Sequence, residues 1–595
     1  MLPVLAVIIV WRTVKSLLMD DYDYEAWGYL SLPNGARITL NHWENIIGRS
    51  KASDVYMEYP TLSRSHAALI RDNKGRWQLY DLGSKSGVLL NGVPVRNRAP
   101  VKNGDILTMG GVELVFFTIS HPEQAAIEHE RKRPGKVVRP FGTLLFLMLF
   151  QVALGLQLCI SMDAALPPAV PVSFVALIAL TWLCYILTRT LRRVAFEVET
   201  LAFFLCSVGL AVTASAAPGD LYKQIGFILA GICLYFLIGW FLRDLGRAVK
   251  LRWPIAVAGL VLLAVNLLLS RSIFGAKNWL TIGGVTFQPS EFVKLAFVFA
   301  GAATLDRLFA RRNLILFIAY SGICVMALAV MGDFGTALVF FVAYLTISFI
   351  RSGDLATVFL SIGGAGLAGF MAITLKAHVA ERFATWGHVW QEVNGSGFQQ
   401  TRTMMASASG GLFGVGAGNG WFKHIFAADT DMVFGMVSEE LGLIVGVVVI
   451  FALLALAFNA VRAASTARSS FYVIGAGASA AILLFQMILN VFGSLDILPF
   501  TGVTLPFVSK GGSSLIACWG LLAFIKAIDT RKNASFVVRT PNNVSKKEQR
   551  LQEKQRPEED DDDGEFDDFE PEFDDDDYDF SRDFDFGDVF DKDDE

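Results

Sequence analysis

Phe141-Gly-Thr-Leu-Leu-Phe-Leu-Met-Leu-Phe-Gln-Val-Ala-Leu-Gly-Leu-Gln-Leu-Cys-Ile160 runs for 20 residues without a charged side chain. Coiled as a helix, a run of that length spans the hydrocarbon core of a bilayer, about 30 Å thick. It is the first of a series. Apolar stretches of spanning length begin near residues 141, 169, 197, 224, 253, 291, 314, 334, 355, 433, 471 and 511, giving 12 candidate helices. With 53% apolar residues in a chain of 595, the composition excludes a soluble enzyme.

Basic residues fall on every second connection between these stretches. They are Arg131 to Arg139, Arg189 with Arg192 and Arg193, Arg243 to Arg252, Arg307 to Arg312, Arg351, Arg462 with Arg468, and Lys526 to Lys532. The positive-inside rule places those loops in the cytoplasm and turns the others outward, among them 271–290, 376–432 and 493–510. A connection of more than 50 residues, rich in Gly and aromatics, implies a structured loop with a function. Residues 1–19, with Leu2 to Val10 ahead of Arg12 and Lys15, read as an N-terminal membrane anchor that is either a short span or an interfacial helix.

Charge is as unevenly spread as hydropathy. The last 39 residues hold 23 acidic and 2 basic side chains, so the formal net charge of −5 conceals a basic body. That pattern suits cytoplasmic loops on anionic lipid and not a nucleic-acid binder. The tail, 533–595, is expected to be disordered; its spaced aromatics, Phe566 to Phe590, either dock on a basic surface or simply solvate. The cysteines lie inside apolar runs without paired or metal-ligand spacing, so neither a disulfide framework nor a zinc site is implied.

Residues 37–118 differ again, with short alternating runs such as Trp77-Gln-Leu-Tyr80 and Val88-Leu-Leu90 separated by turn signals at Asn73 to Gly75 and Asn91-Gly92. This reads as a small β-sandwich. Gly48-Arg49, Ser63-Arg64-Ser65-His66, Asp81-Leu-Gly-Ser84-Lys-Ser86-Gly87 and Asn91-Gly92 together resemble a forkhead-associated (FHA) domain over 30–120. The resemblance implies phosphothreonine binding by Arg49, Ser63, Arg64, Lys85 and Ser86, a guanidinium and neutral donors suiting a dianion, with His66 supporting the loop. Ser86 replaces the usual Asn and Val88 the usual Thr, which bears on peptide selectivity. The alternative is a sandwich kept for protein contacts alone.

Within the apolar half, the segment Gly275 to Lys294 contains Lys277, Trp279 and Gln288-Pro289-Ser290-Glu291, with Ser290 expected as the N-cap of the next helix. Glu291 and Lys294, three apart, can pair on one helix face. Taken alone the pair is equally an interfacial anchor, Trp279 a belt residue, and Asp431 a helix cap.

The set as a whole says more: this segment, Gly332-Asp333-Phe-Gly335-Thr336, Gly397-Phe398-Gln399 through Gly416, Thr430-Asp431 with Glu439-Glu440, and Leu498 through Ser509-Lys510-Gly511-Gly512-Ser513-Ser514. In order and spacing it resembles the SEDS family, the FtsW, RodA and SpoVE group, over residues 195–532. The resemblance implies a ten-helix core preceded by an extra hairpin at 140–193 and a basic linker at 121–139. It implies a glycosyltransferase of the bacterial cytoplasmic membrane that polymerises lipid II on the outer face, with Asp431 as general base. It also implies a class B penicillin-binding protein as partner.

Asp429 is the rival carboxylate, and the family's Thr-Asp pair selects Asp431. Trp279, Lys277, Glu291, Lys294, Arg382, Gln399 and Ser509 become candidates for the substrate cavity, with Arg382 and Lys277 for the pyrophosphate. No metal ligand set is implied; the cofactor is left open, a divalent cation being compatible with a pyrophosphate substrate. Met331-Gly332 and Lys510 depart from the family, which often has Tyr at the latter position. The residues also leave open a lipid II flippase and a non-catalytic scaffold that recruits a phosphorylated partner. The full architecture expected is a multi-pass α-helical membrane protein with an N-terminal all-β sandwich and a disordered acidic tail.

Overall fold

The structure is a computed structural model that describes residues 1–19, 26–51, 53–72, 75–119, 140–162, 167–191, 195–273, 276–282, 285–305, 311–352, 355–375 and 377–531. The linker at 121–139 and the acidic tail at 533–595 lie outside the described residues.

Alternation along the front end produces strands β1 (Gly28–Ser31), β2 (Arg37–Leu40), β3 (Glu44–Gly48), β4 (Val55–Tyr56), β5 (Ala67–Arg71), β6 (Trp77–Asp81), β7 (Val88–Leu90), β8 (Val93–Pro94), β9 (Arg98–Val101), β10 (Ile106–Met109) and β11 (Val112–Thr118). They form a six-stranded sheet in the order β2-β1-β11-β10-β7-β8 and a five-stranded sheet in the order β4-β3-β5-β6-β9. The inward positions, among them Leu30, Ile47, Leu69, Leu79, Leu107 and Phe116, form the core between the sheets. At Asn91-Gly92 both residues have positive φ, 51° and 78°, the backbone of a tight hairpin turn between β7 (Val88–Leu90) and β8 (Val93–Pro94).

Among the described residues, 10 helices are long and apolar enough to cross a membrane. Residues 1–19 supply one of them, α1 (Leu2–Met19), which packs on α2 (Pro140–Met162) and sits within the bundle. Its polar face is spoken for: Arg12 donates to Thr143 at 3.4 Å and Ser16 to Glu197 at 2.9 Å. The hairpin partner of α2 is α3 (Ala169–Thr190). At the centre lies α4 (Glu197–Ala216), buried along its whole length. Around it follow α5 (Leu221–Leu242), α6 (Leu245–Leu269), α7 (Pro289–Leu305), α8 (Arg311–Val330), α9 (Phe334–Ser352) and α10 (Leu355–Leu375). Helix α7 starts one residue before the expected cap, since Pro289 occupies the first helical position, where its missing N–H costs nothing.

The connection 376–432 is structured, with α11 (Ala377–Thr385) and α12 (Phe398–Gly410). The helix expected from 433 is broken in two: a buried α13 (Val433–Glu440), then α14 (Leu443–Ala464). The break falls at Gly442, whose φ of +91° favours glycine. A backbone clamp holds it open, with Val415 N–H donating to Glu439 O, Gly416 N–H to Glu440 O and Leu443 N–H to Gly411 O. Helices α15 (Ser470–Ser494) and α16 (Gly512–Ala527) complete the bundle.

The sandwich is docked on the turn between α14 and α15. Glu44, at the start of β3 (Glu44–Gly48), accepts from the Ser469 hydroxyl at 2.8 Å and the Ser470 N–H at 2.9 Å, so a strand residue completes the N-cap of a membrane helix. The helix N-terminus favours that anion. Trp43 N–H donates to Arg468 O at 2.6 Å, and the guanidiniums of Arg71 and Arg468 lie over the Trp27 ring. Glu44→Ala should cost about 1–2 kcal/mol of cap stabilisation. Hydrogen exchange followed by mass spectrometry is expected to show the Ser470 and Phe471 amides exchanging about 10-fold faster, with the β-sandwich core unchanged.

Candidate functional site

At the far end of α15 from Glu44, Asn490 donates from its amide to the backbone carbonyls of Asp431 at 2.9 Å and Val503 at 2.8 Å. Over the 25 residues of α15, at about 1.5 Å each, the sandwich and Asp431 are separated by most of a membrane thickness. Asp431 precedes α13 in a tight turn whose N–H groups, those of Thr430, Asp431 and Met432, all donate to Ala427 O. Ser509 locks that turn from the other side, donating to Thr430 O at 2.5 Å while accepting from Leu505 N–H at 2.8 Å.

Gly502 faces the carboxylate. Its φ is +68°, and a methyl group placed there would stand 3.2 Å from Asp431 Oδ2, so glycine keeps both the turn and the space beside the oxygen.

Loss of solvent pushes the Asp431 carboxyl up to about 7, against the pull of the Thr430 hydroxyl and Arg382, with Asp429 and Asp333 adding to the rise. Among the described residues no cation forms an ion pair with it. Arg382, on α11, instead donates to Phe500 O at 3.3 Å, and loss of solvent lowers its basicity while Asp431 and Asp333 partly restore it. A desolvated carboxyl titrating near neutrality, with a guanidinium acting on it, can take a proton from an alcohol.

Asp333, within the motif Gly332-Asp333-Phe-Gly335-Thr336, is a second carboxylate of this region, and its motif alone assigns it no role. It accepts from Gln288 Nε2 at 3.2 Å and Thr336 N–H at 3.1 Å, and burial raises it as well. Its signal was the Asp before the Phe334–Ser352 helix, which alone reads as an ordinary cap.

The other candidates are distributed around this centre. Gln399, on α12, donates to Phe426 O at 3.1 Å and so braces the loop that leads into Asp431. Glu291 and Lys294 pair at 2.7 Å with side chains 5% and 2% exposed, inside α7 and felt electrostatically by Asp333. Trp279 stands 39% exposed on β13 (Ala276–Ile282), the middle strand of a three-stranded sheet with β12 (Arg271–Ile273) and β14 (Val285–Phe287). Lys277 is on the same strand, its side chain outside the described part. Gln288 N–H, after β14, donates to Ser513 Oγ and ties that sheet to the start of α16. Among the described residues there is no cluster of three or more His, Cys, Asp or Glu fit to hold a metal.

The second candidate site lies on the sandwich. Buried His66 organises it: Nδ1 accepts from Ser63 N–H at 3.0 Å, leaving the proton on Nε2 to donate to Gly87 O at 3.0 Å. Lys85 N–H donates to Ser63 Oγ at 3.1 Å and the Ser86 hydroxyl to Thr61 O at 3.2 Å. Arg49 N–H donates to Ser63 O and Ser50 N–H to Arg64 O. Arg49, Ser63, Arg64, Lys85 and Ser86 thus converge at one end of the sandwich.

Fold and sites together define a polytopic membrane protein with a desolvated carboxyl, unpaired among the described residues, at one end of its helices and a loop-lined β-sandwich at the other. The sequence profile of the FtsW/RodA/SpoVE family, described as "Cell cycle protein", matches residues 193–534, and that of the FHA domain matches residues 45–110. The peptidoglycan glycosyltransferase RodA of Mycobacterium tuberculosis is 30% identical over 330 residues, covering 51% of this chain and 69% of its own. The probable peptidoglycan glycosyltransferase FtsW of Tolumonas auensis is 34% identical over 348 residues, covering 55% of this chain and 90% of its own. A chain in the solved structure "Structural coordination of polymerization and crosslinking by a peptidoglycan synthase complex" is 28% identical with a TM-score of 0.47, covering 56% of this chain and 96% of that one. This chain belongs to the FtsW/RodA/SpoVE family of peptidoglycan glycosyltransferases, the SEDS family, and carries an N-terminal FHA domain.

Burial makes the ionised Asp431 costly, and the sign of that cost is testable. Because the folded value, about 7, lies above the ordinary 3.8, folded-state stability falls as pH rises from about 4 to 7 and is level above that. Asp431→Asn is therefore expected to raise the Tm of the detergent-solubilised protein at pH 8 and to leave it unchanged at pH 4.

Proposed function

We propose that this protein polymerises lipid II into glycan strands with Asp431 as general base. The observation that carries the reading is a carboxyl that has lost solvent without gaining an ion pair, an arrangement that stability alone does not favour. The ionised carboxylate accepts the proton of the 4-hydroxyl on the acceptor GlcNAc as that oxygen forms its bond to the anomeric carbon of the donor. The bond from that carbon to the undecaprenyl pyrophosphate breaks, and the pyrophosphate leaves with the electron pair. Arg382 and Lys277 offset the growing negative charge, Trp279 offers a face for sugar or prenyl chain, and Gln399 and Ser509 hold the loop in register. The Glu291–Lys294 pair on α7 acts electrostatically on Asp333 beside this centre.

This reading sets Asp431 on the extracytoplasmic side and the FHA domain in the cytoplasm, which the basic residues of the alternate loops favour. Residues 195–532 form the polymerase core and 30–120 a regulatory module that reads a phosphothreonine on a protein partner. A class B penicillin-binding protein crosslinks the new strand.

In proteoliposomes supplied with lipid II, Asp431→Ala is expected to lower polymerisation by at least about 100-fold, the usual worth of a general base, without loss of folded protein. Polymer of unchanged length and yield would sink the assignment. Arg49→Ala is expected to weaken binding of a phosphothreonine peptide by about 10-fold or more in calorimetry, the loss of a charge-assisted contact, with no effect on the unphosphorylated peptide.

A further inference from the structure

Lys510 joins three connections that are remote in sequence. Its ammonium lies 3.0 Å from Asp220 Oδ2, where the chain enters α5, and 3.2 Å from Asp429 Oδ2, two residues before Asp431. Its own N–H donates to Asp429 O at 2.8 Å, while its neighbour Ser509 holds Thr430 O. Asp220 is held in turn by Lys223 at 3.0 Å. The stretch 429–431 is therefore gripped residue by residue: Asp429 through backbone and side chain, Thr430 through its carbonyl, Asp431 through Asn490.

From this geometry we propose that Lys510 is a positioning residue for the polymerase reaction: by bridging Asp220 and Asp429 it fixes the turn that presents Asp431 and neutralises the one carboxylate next to the base in the chain. The inference rests on the reading of Asp431 as base.

An exposed ion pair contributes little to stability, and the Lys510, Asp220 and Asp429 side chains are 27%, 37% and 19% exposed, so the role of this bridge is electrostatic and local. Burial works against the Lys510 ammonium, yet Asp220 and Asp429 hold it above the ordinary lysine value, so it remains charged across the working range. The charged and titratable groups that act on Asp431 are Arg382 from α11, Asp429 from its own turn, and Asp333 from the connection before α9. Of these, Asp429 is the one with a dedicated cation. With that cation removed, the like charge of Asp429 acts on the base undiminished.

Lys510 could instead hold the pyrophosphate directly, and kinetics tell the roles apart. Rates of lipid II polymerisation would be measured against pH for the full-length protein in proteoliposomes, with Lys510→Met, Lys510→Arg and Lys510→Met combined with Asp429→Asn. Lys510→Met is expected to move the acidic limb of kcat upward by about half a pH unit or more, lowering the rate near pH 7 by about two-fold or more. The double variant is expected to bring the limb back, and Lys510→Arg to keep it within about 0.2 unit of wild type. A limb in Lys510→Met that superposes on wild type, or a rise in KM for lipid II without any shift, overturns the proposal. Melting curves of each variant separate these outcomes from misfolding, because a bridge that only held the fold would lower Tm and leave the limb in place. Full activity in Asp431→Ala would instead remove the base assignment itself, whatever Lys510 does.

Discussion

A helix that joins two distant sites transmits position only if both its ends are tied, and α15 is tied at both. At its start, where no membrane helix leaves an N–H unsatisfied without cost, Glu44 of the FHA domain accepts from the Ser470 N–H and the Ser469 hydroxyl, and that hydroxyl in turn accepts from the Phe471 N–H. Near its other end Asn490 reaches across to the Asp431 and Val503 carbonyls. A side-chain amide bonding two backbone carbonyls of separate loops fixes a distance more firmly than apolar packing, which tolerates sliding. The placement of the candidate base, of Gly502 beside it and of the FHA domain on the opposite end follows from this one strut.

The FHA strand that supplies the cap also supplies the recognition end. Glu44 opens β3 and Arg49 follows its last residue, Gly48, so the cap and the Arg49 loop are separated by a single strand. The close approach of Gly48 to the Arg64 carbonyl, which any larger side chain would block, keeps the loop of Ser63 and Arg64 against that strand. Domain and bundle are joined by the Trp43 N–H to Arg468 O bond and by the Glu44 carboxylate on Ser469 and Ser470, so a ligand on the loops meets a scaffold braced by the membrane helices.

Much of this was legible in the residues, and the limits were physical ones. Turn chemistry at Asn91-Gly92 and the Ser63 to His66 segment identified the sandwich, because turns are local. Hydropathy found the helices but missed the break at Gly442, since the clamp that opens it comes from residues 411–416, remote from the local pattern. The 18 residues of Leu2–Met19 are ambiguous by length, and the contacts of Arg12 and Ser16, which pack the helix on the bundle, come from residues remote in sequence. No pattern could pair Glu44 with Ser469, 425 residues apart. Family resemblance singled out Asp431 over Asp429; the structure adds that Asp429 has a cation bound to it and that, among the described residues, Asp431 does not.

That contrast extends through the bundle. Glu199 has Lys526, Glu291 has Lys294, and Asp529 and Glu197 share Arg531, each at an ion-pair distance in a buried setting. Evenly paired interior charges are what a low-dielectric core requires, because an uncompensated one is strongly destabilising. Asp431, like the buried Glu439 and Glu440, has no ion-pair partner among the described residues. Glu439 accepts from the Trp421 and Phe422 N–H groups and Glu440 from the Gly418 N–H and Ser215 hydroxyl, whereas Arg382, which acts on Asp431, donates to the Phe500 carbonyl. Full pairing would have stabilised the carboxylate and made it a poor proton acceptor; full exposure would have left it with an ordinary acidity, equally poor. A carboxyl poised near neutrality needs the intermediate state, desolvated with its cation held one contact away, and the loops around Asn490, Ser509 and Lys510 hold it there.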